Sequence, residues 1–385
     1  MSVLKELFVL DPEVVFLNHG SFGATPRPVI EAYQDWQCRL ERQPVQFLAR
    51  ELPALLLEAR SRLGAYLNAP AQDLVMITNA TYGVNALAHS LKLEPGDEVL
   101  TSDHEYGACD RTWEYLCARS GARYIRQPIQ LPVSDPQEIE ESIWKGVTPH
   151  TRLIFLSHIT SSTALTLPVE SICRRARNAG ILTFVDGAHA PGQIPVDLQA
   201  IGADFYTGNC HKWMMAPKGS AFLHARPEVQ SLVEPLVVSW GWKPEADFTT
   251  GSPFVDILQW LGTRDPSATL AVPAALRFMK DYDWPSVSLE CQALLESTLE
   301  RMQVLTGMAY LYPPRQGFYR QMACASLPHQ EDLIGFKTRL YEHYRIEIPC
   351  IEWNGLHLLR ISVQGYNTPD ELDNLIEALR EILNV

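Results

Sequence analysis

Residues 181–220, ILTFVDGAHAPGQIPVDLQAIGADFYTGNCHKWMMAPKGS, set the reading of the whole chain. The apolar run Ile181-Leu182-Thr183-Phe184-Val185 stops on Asp186 and turns through Gly187. A short continuous apolar run between turn signals predicts a strand buried on both faces. A carboxylate at its end lies where open α/β sheets bind ligands. A second short run, Asp204-Phe205-Tyr206, leads through Thr207-Gly208-Asn209 to His211-Lys212-Trp213. An acid and a lysine, each after a buried strand, suggest a pyridoxal 5′-phosphate (PLP) site. There lysine forms a Schiff base and the acid pairs with the pyridinium nitrogen. The competing reading is a structural Asp186–Lys212 ion pair, and this stretch alone does not separate the two.

Outward from it, strand and helix patterns alternate. Strands are predicted at Asp73–Thr78, Glu98–Ser102, Arg123–Ile129, Arg152–His158 and Ala221–His224. Between them fall helices to Leu91 and over Asp110–Ser120, Gln137–Lys145 and Val169–Ala179. This order predicts an α/β fold with a mainly parallel central sheet and right-handed crossovers. Upstream, Val14–Leu17 is an apolar run before the loop Asn18–Gly23, and helical spacing from Val29 to about Leu67 carries breaks at Pro44 and Pro53. Downstream, Val237–Pro266 reads as a long functional loop. Helices at Ser267–Asp281 and Pro285–Thr306 follow. Strand candidates at Tyr319–Ser326, Arg345–Ile348 and Leu356–Val363 then mix with helices Gln330–Tyr344 and Pro369–Leu383. We therefore divide the chain into an N-terminal segment lining the active site (1–25), a large α/β domain (26–266) and a smaller C-terminal α+β domain (267–385).

Composition bounds the function. With 46% hydrophobic and 20% charged residues in 385, the chain is an ordinary globular one. A net charge of −13 argues against nucleic acid or an anionic membrane as partner. The start of the chain carries no secretory pattern, and no apolar run approaches the roughly eighteen residues of a membrane span. Eight cysteines without a CxxC pair read as reduced thiols, so a cytoplasmic, metal-free protein is expected.

The polar residues that carry chemistry follow predicted strands. Asn79-Ala80-Thr81 joins a strand to a helix, where free N–H groups favour a phosphate; an ordinary N-cap is the plainer alternative. His104 also ends a strand, and its imidazole suits stacking on a flat cofactor and moving protons. In a parallel sheet, Thr81, His104, Ser161, Asp186, His189 and Lys212 gather at one edge.

The motifs FLNHGSFGATP (16–26), TNATYGVN (78–85), SDHEY (102–106), LSHITSSTA (156–164), FVDGAHAPG (184–192), YTGNCHKWMMAPKGS (206–220), WLGTRDPSA (260–268) and HLLRISVQGYNT (357–368) span nearly the whole chain. They resemble the class V aminotransferase family of fold-type I PLP enzymes, and in particular its isopenicillin N epimerase-like branch. The resemblance implies that Lys212 holds PLP and shuttles the α-proton, that Asp186 keeps the ring nitrogen protonated, and that His104 stacks on the ring. It places His189 near the phenolic oxygen and Ser161 in a similar contact. Ala80, Thr81, Asn209 and His211 cradle the phosphate. Arg360 clamps the substrate carboxylate, with Asn18, His19 and Arg50 at the substrate entrance. Gly262-Thr263 resembles the turn that reaches the phosphate of a neighbouring subunit, implying a homodimer. Trp240, Trp242 and Phe47 offer apolar surface to the pocket, the core or a dimer contact.

The reaction is less determined. A desulfurase needs a mobile nucleophilic cysteine; Cys350 lacks the local motif and reads as a packing residue, and Cys324 sits in an apolar strand. The remaining routes all begin with α-proton removal. Epimerisation needs a second acid, for which His104 is the candidate. C–S lysis or transamination are the alternatives. A hydrolytic metal on Asp186, His189 and His211 leaves Lys212 without a use.

Overall fold

The computed structural model describes residues 2–245 and 249–384, so residues 246–248 of the expected Val237–Pro266 loop lie outside it. Seven strands form the central sheet in the order Leu74–Ile77, Ala221–Ala225, Phe205–Asn209, Leu182–Asp186, Thr151–Ser157, Glu98–Ser102 and Arg123–Gln127. All neighbours are parallel except Ala221–Ala225, which runs antiparallel to both of its own. The Phe205–Asn209 and Ala221–Ala225 strands are buried throughout, as a sheet covered on both faces requires. Only Arg123–Gln127, at the edge, alternates with solvent. Register fixes the site: Ser157 pairs with Asp186, and Asp186 with Thr207, so three strands end at one level.

A three-stranded antiparallel sheet, Cys350–Trp353, Leu356–Ser362 and Met322–Leu327, forms the smaller unit. Cys350–Trp353 was not expected as a strand, although the Asn354-Gly355 turn joins it to Leu356–Ser362. The N-terminal segment joins this unit, because Val15–Phe16 pairs in parallel with Ile346–Glu347. The Ser362 N–H also donates to the Leu17 carbonyl at 3.0 Å.

Two boundary expectations change. The helix expected from Val29 runs Arg27–Arg42 and ends before Pro44, but Pro53 breaks nothing. It sits in the first turn of Leu52–Leu67, where its missing N–H has no helical partner to lose. Within the expected Val237–Pro266 loop lies a helix, Pro253–Gln259, whose N-cap Ser252 accepts from the Val255 N–H.

Candidate active site

The strand ends open into a cavity of about 380 Å³ whose wall includes Asp186, His189 and Lys212. Asp186 is buried; its Oδ1 accepts the Ala188 N–H at 2.9 Å and its Oδ2 the Cys109 thiol at 3.5 Å. Burial pushes its pKa up, against the Ala188 bond and the charge of Lys212. No ion pair links Asp186 to Lys212 among the described residues, so the structural salt-bridge reading fails.

Lys212 follows the Phe205–Asn209 strand in a loop held from the N-terminal segment. The His19 imidazole Nε2 lies 3.1 Å from the Lys212 carbonyl, and its Nδ1 3.0 Å from the Tyr366 hydroxyl. Gly23, at φ 71°, packs so closely that a Cβ there would lie 2.1 Å from the His211 carbonyl oxygen. The Lys212 amine lies 3.1 Å from His189 Nε2. Trp213 Nε1–H, which can only donate, points at His189 Nδ1 at 3.4 Å. The neutral ring therefore carries its proton on Nε2, which faces the Lys212 nitrogen and disfavours its charged form. Burial and the Arg360 charge agree, lowering the Lys212 pKa to about 8, while burial and Lys212 hold His189 well below its usual range.

The helix Ala80–Ser90 opens onto the cavity. Asn79 Oδ1 accepts the Tyr82 N–H at 2.8 Å, and Asn209 Oδ1 the Ala80 N–H at 2.9 Å. These caps leave the Thr81 N–H and hydroxyl without a protein partner among the described residues. His211 lines the cavity with Nδ1 bound to the Ser220 carbonyl at 3.0 Å. Arg360 lies just behind the wall. Its Nη1 donates to the Ser161 carbonyl at 2.5 Å, its Nη2 to Ser21 Oγ at 3.0 Å, and its buried Nε has no partner.

Several expected site residues lie elsewhere. His104 is fully buried and off the cavity: Nδ1 bonds Thr163 Oγ1 at 2.7 Å, Nε2 the Ile129 carbonyl at 2.9 Å, and the ring packs on Trp353. Both ring nitrogens are committed to core partners, and His104 is not among the residues lining the cavity. Tyr106, from the same loop, lines the cavity instead. Asn18 donates to Glu347 at 2.9 Å, and His19 holds the Lys212 loop, so neither meets the cavity. Arg50 bonds Gln46 on an exposed turn. Gly262 and Thr263 face a second cavity, with Leu48, Leu52, Trp240 and Trp260. Ser21, Phe22, Ser157 and Lys218, which line the first cavity, had no expected role. Ser157 ends a central strand, Ser21 and Phe22 lie in the short helix His19–Phe22, and Lys218 lies in a turn, and only the folded chain brings them together. No group of three His, Cys, Asp or Glu is disposed to hold a metal ion among the described residues.

This donor set fits PLP at three points. A buried carboxylate outside any ion pair suits a pyridinium, a lysine of lowered pKa suits an aldehyde, and the vacant donors of a helix start suit a phosphate. Fold and site together define a fold-type I PLP-dependent enzyme. The chain belongs to the class V aminotransferase family, which it matches over residues 15–375.

Among its relatives is the isopenicillin N epimerase of Amycolatopsis lactamdurans, 37% identical over 98% of this chain and 97% of that protein. The probable chloroplastic L-cysteine desulfhydrase of Arabidopsis thaliana is 30% identical over 97% of this chain and 84% of its own. The fold is similar to that of the cystine C-S lyase C-DES, solved with its product cysteine persulfide. That match has a TM-score of 0.83 at 22% identity and covers 96% of this chain and 97% of the other.

Proposed function

We propose that the protein removes the α-proton of an amino-acid substrate and returns it, as an isopenicillin N epimerase-like enzyme. The carrying observation is the buried Lys212 amine in the cavity wall, 3.1 Å from His189 Nε2, with its pKa lowered to about 8 by burial and the Arg360 charge. When bound, PLP supplies an aldehyde for that amine and an electron sink for the substrate carbanion. Lys212 then takes the α-proton, and Asp186 holds the proton of the ring nitrogen. Thr81, Ala80, Asn209 and His211 receive the phosphate. Arg360 turns from its neutral serine partners to the substrate carboxylate, which its charge favours. Inversion needs a donor on the opposite face. Tyr106 takes the part that His104 is too buried to fill, and its phenol supplies the proton.

C–S lysis is the second reading, supported by the desulfhydrase relative and needing only α-proton removal and a thiol leaving group. Desulfuration has less support: none of the eight cysteines lines the cavity, and burial pushes the Cys324 and Cys350 thiols up to about 12. Those eight unpaired thiols support a reducing, cytoplasmic setting, and no helix among the described residues is long and apolar enough to cross a membrane. A homodimer with Thr263 reaching the partner's phosphate is supported by the exposed apolar run Leu236, Val237, Val238, Trp240 and Trp242 next to the Thr263 cavity.

An amino-acid panel in deuterium oxide tests the reading. Deuterated, inverted amino acid is expected; pyruvate and sulfide without inversion would favour the lyase.

A further inference from the structure

We propose that Glu105 is a positioning residue for the cofactor: its buried carboxylate adds a second negative charge behind Asp186 and so helps hold the proton on the PLP ring nitrogen. Glu105 lies beside the cavity wall without facing it and is 6% exposed. Its Oε1 accepts from Ser102 Oγ at 2.6 Å, and its Oε2 from the Ser157 N–H at 2.9 Å and Ser157 Oγ at 2.6 Å. The Ser102 oxygen already accepts the His104 N–H at 3.2 Å, which leaves its own proton for Glu105. Ser157 is the sheet partner of Asp186, so one residue ties the two acids together.

Three donors favour the ionised carboxylate. Burial and the Asp186 charge oppose it, and the balance brings Glu105 up to about 7. Neither acid belongs to an ion pair among the described residues. The other ionisable groups facing them are Cys109, Tyr124 and Tyr206, whose raised pKa values bring no positive charge, and Lys212, a cation that acts on Asp186 without pairing with it. Two buried carboxylates outside any ion pair disfavour each other and favour a further cation that arrives between them and the cavity. A protonated ring nitrogen at Asp186 is that cation. The Glu105 charge and the ring proton therefore stabilise each other, through Asp186 and not by contact. The same feature makes the empty protein carry a like-charge repulsion that the cofactor relieves.

The inference rests on PLP as cofactor and on no particular fate of the substrate. Its test loads wild type and Glu105→Gln with PLP labelled with ¹⁵N in the ring. It follows the ¹⁵N shift against pH, the PLP dissociation constant, and the melting temperature of the cofactor-free protein. In the variant the ring nitrogen should lose its proton at a lower pH. PLP should bind about tenfold more weakly, the equivalent of one pKa unit. The cofactor-free melting temperature should hold or rise as the repulsion goes. An unchanged ring titration overturns the inference, and so does a lower cofactor-free melting temperature with unchanged affinity, which marks a merely structural side chain. Should Glu105→Gln fail to fold, Ser102→Ala removes one of the three donors and should move the titration the same way by less; no movement there also overturns it. A wild-type protein that takes up no PLP would instead sink the cofactor reading, and this inference with it.

Discussion

The Lys212 amine is the group whose protonation sets how the site responds to pH. Its pKa of about 8 lies below the ordinary lysine value of 10.5, because burial and Arg360 disfavour the charged form. A lowered lysine pKa means the reactive free amine increases as pH rises and levels off above about 8. PLP uptake by the cofactor-free protein, followed by absorbance, should show that midpoint, and Lys212→Ala should show no such chromophore. His104 and Tyr106 separate in opposite ways. His104→Ala strands the Ile129 carbonyl in the core and leaves the Thr163 hydroxyl only its bond to Thr160, and should lower stability by about 2–4 kcal/mol in urea titrations. Tyr106→Phe should leave stability and PLP binding intact and lower inversion about 100-fold or more, the usual scale of general acid catalysis. Loss of inversion in His104→Ala at full stability would reverse the two assignments.

Among the elements, the loop carrying Lys212 depends on a neighbour distant in sequence. Gly23 at φ 71° lets the N-terminal segment close on His211 and Lys212, and His19 fixes the Lys212 carbonyl. Gly23→Ala meets both a strained backbone and the His211 carbonyl, so it should destabilise by at least about 2 kcal/mol and weaken PLP binding with it. Thermal melts with and without PLP measure both effects. At the other end, the Ala80–Ser90 helix offers the phosphate donors that its own caps leave free. Thr81→Ala removes one hydrogen bond to a charged group, about 1.5–3 kcal/mol, and should raise the PLP dissociation constant by roughly 10- to 100-fold.

For the whole molecule, one protomer holds every proposed contact except that of Thr263, which faces the second cavity. If two chains share each site, Lys212→Ala and Thr263→Ala proteins should complement when unfolded and refolded together. A mixed dimer has one site with both residues native. Activity above that of either parent supports the shared site; a monomer in sedimentation, or no gain on mixing, argues against it.

The amino-acid sequence by itself determined the alternating strands and helices, the carboxylate and lysine that end two of them, and the helix start for a phosphate. Each of these is local: burial on both faces writes an unbroken apolar run, and a strand end places the next polar residue at the sheet edge. The strand at Cys350–Trp353 was legible in the Asn354-Gly355 turn that joins it to Leu356–Ser362, a signal left unused, whereas the helix at Pro253–Gln259 was not, because the strand it packs on, Leu74–Ile77, lies far along the chain. Nor was the choice between His104 and Tyr106. Both follow the same strand in the same short loop, and only Thr163, Ile129 and Trp353, brought in from three other segments, draw the histidine into the core. Tertiary structure alone likewise set Asp186 and Lys212 in one cavity wall without an ion pair and tied Glu105 to the sheet partner of Asp186 through Ser157. Side-chain direction in a turn depends on what packs against it, and those neighbours exist only in the folded chain.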